Sequence, residues 1–465
     1  MGIVAVKKIG AHLLFAIGLL MAVQPAHAIP AFARKYGLRC SACHESWPML
    51  NYFGQKFKDN GYQLMNDRDA PIWQNPSYWP VTFRITPIWH RVSTGRVAVD
   101  QGTGMDNAES RIEKSGFDLS GLDFHTGGTL EKNFSFYVLP SSDSTATFHF
   151  ETVMGRLDNL FGSSWLNVKL GKFELDNLLS EKRILTLTAN GGIYQTYHFI
   201  PQGDANIYGQ IGSNQLGLEY MGHSADDRTR VSAALISSSN GNTGLVTGSN
   251  SYSGFFTASQ AFDAGKWGVE RIGFYDMTGL AATMYRTSAG VPIPGSGIGN
   301  KGFNRVGFVG QFYFGPHFDL QVVTQHGADN AWFGQGYGNA VNPSNGAPGN
   351  PLPNNTPGTV LPATARAPSW NGATFEAHYV YSPQLIFIGR FELERMSQQA
   401  TVGTASNLGN ITTYTIGYRY NPFMTSRAGF AWHNEYNFLH QDGTGPQPGE
   451  NVNSSELLIG FDFDF

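Results

Sequence analysis

The chain has 465 residues, 14% of them charged and 13% aromatic, with 56 glycines and a formal net charge of −4. No basic run offers a nucleic-acid surface, and after residue 28 no stretch reaches the roughly 18 apolar residues of a membrane helix. Few charges, many aromatics and abundant glycine instead suit short alternating strands with aromatic belts and polar loops.

Residues 1–28 read as a secretory signal. Lys7 and Lys8 make the basic start, Ile9 to Val23 the apolar run, and Ala26-His27-Ala28 a small-x-small cleavage site. The mature chain then begins near Ile29 with a formal charge of −6, the two lysines being lost from −4. Next comes Cys40-Ser41-Ala42-Cys43-His44, which holds both cysteines of the chain. C-x-x-C-H is the attachment site of a c-type haem: the thiols add across the porphyrin vinyl groups, and the histidine supplies an axial imidazole. A thioredoxin-like dithiol is the competing reading, but it needs no following histidine and expects a βαβ context that is missing here. Cys40, Cys43 and His44 are therefore the expected attachment residues and proximal ligand of one covalent haem c. Export fits, because such attachment takes place outside the bacterial inner membrane.

Residues 29–78 form the expected haem segment. Trp47, Leu50, Phe53, Phe57 and Tyr62 fall near helical spacing, Pro48 suits a first turn, and Asn60-Gly61 a stop. One amphipathic helix against the haem is predicted. A unit this small buries too little apolar surface alone, so haem and neighbouring wall must supply the core. For the distal ligand Met65 ranks first, since it follows the Asn60-Gly61 break. A histidine from the wall (His90, His149, His378 or His433) ranks second and an open site third. Met49 is too near His44 in sequence. For each methionine the bland alternative is apolar filler, and for each histidine a polar lining residue.

From 79 to 465 the pattern is all-β. Strands are predicted to begin near 81, 116, 132, 146, 165, 214, 229, 253, 268, 305, 318, 371, 384, 412, 426 and 454. Sixteen antiparallel strands make a transmembrane β-barrel of even strand number. Its last strand alternates Leu457, Ile459, Phe461, Phe463 and Phe465 with Leu458, Gly460, Asp462 and Asp464, resembling the C-terminal signal strand of bacterial outer-membrane barrels. Short links (421–425, 382–383, 315–317, 263–266, 223–228) alternate with long ones (440–452, 396–411, 327–370, 277–304, 239–252, 173–213). The alternation falters at Ser141 to Ser144, which is short where a long loop is expected. Short turns belong to the periplasmic side, so the haem segment enters from there and sits in or under the pore. On strand parity Glu376, His378, Glu392, Glu394, His433 and Glu435 face the lumen, with Glu151 and His149 from the fourth strand. Oxygen and imidazole donors suit Fe(II) or another divalent cation. A polar wall paired to Arg390 and Arg395 is the stronger reading, since no tight metal spacing is present. The 327–370 link, rich in Asn, Gly and Pro, is long enough to fold over the mouth.

The N-terminal segment resembles the fused monohaem cytochrome c–porin family of bacterial outer membranes, the type of the Fe(II)-oxidising outer-membrane cytochromes. The resemblance runs through Pro30-Ala31-Phe32-Ala33-Arg34 to Gly37 and Cys40 to His44. It continues through Pro48-Met49-Leu50-Asn51-Tyr52-Phe53-Gly54 to Phe57-Lys58 and Gly61-Tyr62. It covers about 35 residues; the barrel agrees in architecture only. It implies a haem c protein in contact with outer-membrane lipid. Such a protein takes electrons from extracellular Fe(II) or another reductant and passes them to a periplasmic c-type cytochrome or other soluble carrier. The alternatives are a substrate-specific porin with the segment as plug or redox gate, outward electron export, and a sheath for another cytochrome. No serine, Cys–His or paired-carboxylate constellation supports hydrolysis, so any activity reduces to Fe(II)-oxidising electron transfer.

Overall fold

The computed structural model describes residues 31–46, 48–65, 69–74, 80–99, 108–142, 147–188, 194–199, 208–239, 241, 251–282, 285–286, 292–293, 300–330, 367–397, 410–425, 428–442 and 451–464. The signal at 1–28, Pro30, Trp47, residues 331–366 of the long link, and Phe465 lie outside the described residues.

Sixteen antiparallel strands close into one barrel. In chain order they are β1 Val81–Val99, β2 Ala108–Glu131, β3 Phe134–Ser142, β4 Phe148–Leu157, β5 Asn167–Phe173, β6 Gln215–His223, β7 Thr229–Ser237 and β8 Tyr252–Asp263. They continue as β9 Val269–Ala282, β10 Asn300–Tyr313, β11 Phe318–Asp329, β12 Ser369–Ser382, β13 Leu385–Met396, β14 Ile411–Met424, β15 Gly429–Gln441 and β16 Val452–Asp464. Each strand pairs with its neighbour in sequence, and β16 closes on β1 with Asp464 opposite Arg84. The number matches the sequence reading, and most starts fall within a few residues. β2 and β10 begin earlier than the periodicity suggests, at Ala108 and Asn300. The link between β3 and β4 is short, as read, yet lies on the long-loop rim.

Alternation sorts the side chains. Leu170, Leu218, Leu235, Phe256, Ile272, Phe308, Tyr414 and Ile416 point outward and are exposed. Glu219, Arg305, Glu376, His378, Glu392, Glu394, Arg419, His433 and Glu435 point inward and are buried. A closed sheet with an apolar outside and a charged inside satisfies its backbone within the wall and offers lipid an apolar belt. This is a transmembrane barrel.

Two segments occupy the lumen. The first is the N-terminal one, with helices α1 Ala31–Tyr36, α2 Cys40–Cys43 and α3 Tyr52–Asp59, and a ribbon pairing His44–Ser46 with Met49–Leu50. The single helix expected from Pro48 onward is shorter than predicted. Residues 44–50 are taken by the ribbon, and Asn51 caps α3, accepting from Gly54 N–H at 2.9 Å. The Asn60-Gly61 stop stands: Gly61 has φ +75°, and a Cβ there would run into the Asp158 carboxylate. The second is formed by the described parts of the β5–β6 link, 174–188, 194–199 and 208–214, which fold inward with a short helix α4 at Gln195–His198. Leu175, Leu179, Ile184, Tyr194, Tyr197, Tyr208 and Ile211 pack with Tyr275, Met277 and Phe303 of the wall. The link crosses to the far wall, where Leu187 N–H donates to Glu435 at 2.7 Å and Gln195 N–H to Glu392 at 2.8 Å.

Candidate cofactor site at the short-turn mouth

The N-terminal segment meets the wall on nearly every side of the short-turn end. Ala31 N–H donates to Thr82 Oγ1 on β1 at 2.7 Å, and Lys35 Nζ to Thr129 Oγ1 on β2 at 3.1 Å. Cys40 N–H donates to Thr425 O in the β14–β15 turn at 3.2 Å. In the ribbon, Ser46 accepts from Asn421 of β14 at 2.9 Å, Glu45 accepts from Tyr313 of β10 at 3.3 Å, and Met49 packs on Leu185, Ile386 and Ile388. At the end of α3, Asp59 pairs with Arg230 of β7, and Arg156 of β4 donates to Lys58 O at 2.8 Å. Lys58 Nζ lies 3.8 Å from Glu174 of the infolded link, which Arg183 also holds at 2.6 Å. An aromatic cluster completes the seal: Phe32 stacks on Tyr62 at 4.7 Å, and Tyr62 faces Tyr137 of β3 at 5.9 Å.

Within this plug the C-x-x-C-H residues form one compact unit. Cys40 and Cys43 bound α2, both are free thiols, and His44 follows directly. Asn51 ties the unit to α3: its N–H donates to Cys43 O at 2.9 Å and its Nδ2 to Ala42 O at 3.1 Å. Gly54 lets the helices touch, since a Cβ there would overlap Cys43 O. Of the resembling stretch, Asn51 and Gly54 hold α2, while Phe57 and Tyr62 pack on Phe32 and Tyr36 of α1 and Gly61 lies against Asp158.

The donor set fits a c-type haem. His44 Nδ1 lies 3.2 Å from Pro48 O. A ring N–H given to that carbonyl puts the neutral imidazole's lone pair on Nε2, the usual arrangement of a metal-ligating histidine. Burial, opposed by the Pro48 and Met49 carbonyls, pushes the His44 pKa down to about 4, so the ring is neutral at pH 7. Burial, with Asp464's charge adding at Cys40, pushes the thiols up to about 12 for Cys40 and about 11 for Cys43. A redox dithiol works through a lowered thiol pKa, so these two do not suit that role. A thioether at Cys40 would give up one contact, the Sγ–H donated to Thr425 O at 2.9 Å.

The remaining sequence candidates are dispersed. Met65 is 56% exposed at the rim with φ +60°, its Sδ 3.9 Å from Asn159 Nδ2. His378 lies between Asp319 at 2.9 Å and Glu376 at 2.8 Å, with both ring nitrogens engaged. His433 is fully buried beside Asp462 at 3.6 Å, His90 lies 3.4 Å from Glu456, and His149 is exposed. The inward carboxylates are spent on structure: Glu376 pairs with Arg390, Glu151 with Lys182 at 3.5 Å, and Glu392 and Glu435 accept backbone N–H groups. Arg395 differs from the expectation, donating to Ile411 O and Thr412 Oγ1 rather than to a carboxylate. Among the described residues no three His, Cys, Asp or Glu side chains converge as a metal ligand set.

No protein-family model matches the sequence, and no curated protein matches it. Solved structures do. The outer membrane channel DcaP of Acinetobacter baumannii is 12% identical with a TM-score of 0.50, over 83% of this chain and 97% of its own. An anion-selective porin from Comamonas acidovorans is 12% identical with a TM-score of 0.49, over 83% and 98%. OprB of Pseudomonas putida is 11% identical with a TM-score of 0.46, over 83% and 94%. At this identity the likeness to DcaP bears on architecture alone, and the architecture is that of a sixteen-stranded porin-like barrel.

Proposed function

We propose that this protein is an outer-membrane electron-transfer cytochrome: a single c-type haem, attached at Cys40 and Cys43 and ligated by His44, carried in the periplasmic mouth of a porin-like barrel. One observation carries the reading. The chain's two cysteines stand as free thiols, the second directly before a histidine whose Nδ1 is committed to a backbone carbonyl. The apolar outer belt supports an outer-membrane location, and short turns on the periplasmic side put the plug there. Bound haem supplies one-electron chemistry; the chain's own residues hold it, shield it and set its surroundings. The donor is a reductant from the long-loop side, Fe(II) among them, and the acceptor a soluble periplasmic c-type cytochrome. Purified protein made with c-type maturation is expected to carry one covalent haem that Cys43→Ser impairs. Full covalent loading of a Cys40→Ser, Cys43→Ser double variant would refute the assignment.

A second reading is favoured by the shared architecture with DcaP, which is described as an outer membrane channel: a substrate-specific porin in which the N-terminal segment is a plug or redox gate. Planar-bilayer recording separates the two. A steady current that follows haem oxidation state supports a gate, and a closed barrel supports the cytochrome.

A further inference from the structure

His125 was not among the histidines that strand counting singled out, yet its surroundings suit a metal ligand. It lies on β2 in the inward row Asp123, His125, Gly127, Thr129. Both ends of that row touch lumen partners: Asp123 pairs with Arg84 at 3.0 Å, and Thr129 accepts from Lys35 of the plug. Beside it, Gly127 leaves just enough room for the plug's Phe32, whose Cζ would lie 3.3 Å from a Cβ there. Tyr137 of β3 fixes the ring, its OH 2.5 Å from His125 Nδ1. With Nδ1–H donated to that phenol oxygen, Nε2 carries the lone pair a metal would take, the arrangement that Pro48 O gives His44.

Cys40 and His125 flank one stretch of the wall. Across the sheet the partners run Gly429, Asp464, Arg84, Asp123 on β15, β16, β1 and β2. Cys40 Sγ stands 4.0 Å from where Gly429 would carry a Cβ, at one end of that row, and His125 is two residues from the other end. Three strand spacings separate the ends, about 14 Å along the wall, comparable to a haem with its side groups. The rival ligands lie elsewhere: Met65 at the β4–β5 turn, Met49 against β11 and β13 with Gln321 Nε2 3.4 Å from its Sδ, and His378 locked between two carboxylates.

We propose that His125 is the distal axial ligand of the haem and that Tyr137 is its positioning residue. The inference rests on the cytochrome reading above. Two imidazoles give a lower potential than histidine with methionine. A bis-histidine centre therefore favours donors of low potential, such as Fe(II) at neutral pH, where hydrolysis of Fe(III) pulls the iron couple down.

The test is the oxidised absorption and EPR spectrum of the full-length, haem-loaded protein and its variants. The parent is expected to be six-coordinate and low-spin, without a sulfur-to-iron charge-transfer band. His125→Ala is expected to become high-spin and to return to low-spin on adding free imidazole. His125→Met is expected to gain the sulfur band and a higher potential, and serves if the alanine variant fails to fold. Tyr137→Phe keeps the low-spin spectrum and raises the potential, because the ring N–H loses its acceptor. Covalent haem whose low-spin spectrum is untouched by His125→Ala or His125→Met would overturn the ligand assignment alone. Absence of covalent haem in the parent would overturn the cytochrome reading, and the ligand with it.

Discussion

Gly54 shows how one position governs the site. Its missing side chain lets α3 lie against the Cys43 carbonyl, and any Cβ must push backbone against backbone. Gly54→Ala is expected to cost about 1–3 kcal/mol of plug stability and to lower the fraction of chains carrying covalent haem, read as haem absorbance per protein. Asn51→Ala removes both the α3 cap and the tie to Ala42 O. Its expected cost is smaller, about 1 kcal/mol, seen as earlier proteolysis of the plug while the barrel resists. At this scale the sequence offers Cys40, Cys43 and His44 by spacing alone, and the structure adds how Asn51 and Gly54 hold them as one unit. Gly54 could be noticed but not explained, because the partner it admits is Cys43 O, eleven positions back in the chain. The inward parity of His125 follows from Asp123 and Gly127, but its contact with Tyr137, a partner on the next strand, is visible only in the fold.

Among the elements, the docking of α3 on the infolded link is electrostatic and should respond to pH. Burial alone would raise the Glu174 carboxyl, but Arg183, Lys58, Lys169 and Lys182 outweigh it, and its pKa is lowered. A lowered folded pKa adds stability above the unfolded value, about 4.3, and that stability is lost as pH falls through the folded value. Amide exchange in 52–60 is therefore expected to quicken below about pH 4, and Glu174→Gln should remove that dependence. The second anchor, Asp59 with Arg230 and Asp227, is buried. Arg230→Ala removes the ion-pair partner of Asp59, leaves Asp227 only its longer contacts to Arg271 and His223, and is expected to release the plug, at a cost of about 3–5 kcal/mol, measured by the same exchange. Strands were readable because one face meets lipid and the other a charged lumen, so period two persists along each. The inward course of 174–214 was not read, although a signal was present. Leu175, Leu178, Leu179, Ile184, Leu185 and Leu187 are too apolar for a link that stays in water.

For the whole molecule, plug and infolded link are both joined to the wall inside the barrel, through contacts such as Asp59 with Arg230 and Leu187 N–H with Glu435. Lumen carboxylates that a bare sequence offers as a cation path are instead joints between wall and link, as at Glu392 and Glu435. The intact protein is accordingly expected to pass no steady ion current in planar bilayers. Removing 29–65 should leave current restricted by the link rather than abolish the barrel, since β1 to β16 pair without the plug. Strand number and outer belt follow from local periodicity and can be counted from the sequence; the docking of plug and link inside the barrel depends on contacts between segments far apart in sequence. The most direct test of the account is the visible spectrum of purified, full-length protein made with c-type maturation, first oxidised and then mixed anaerobically with Fe(II). One covalently held haem per chain is expected, with a c-type α band that develops on adding Fe(II). A haem reduced only by dithionite would remove Fe(II) from the donors, and a protein with no covalent haem would contradict the central claim and leave a plugged porin.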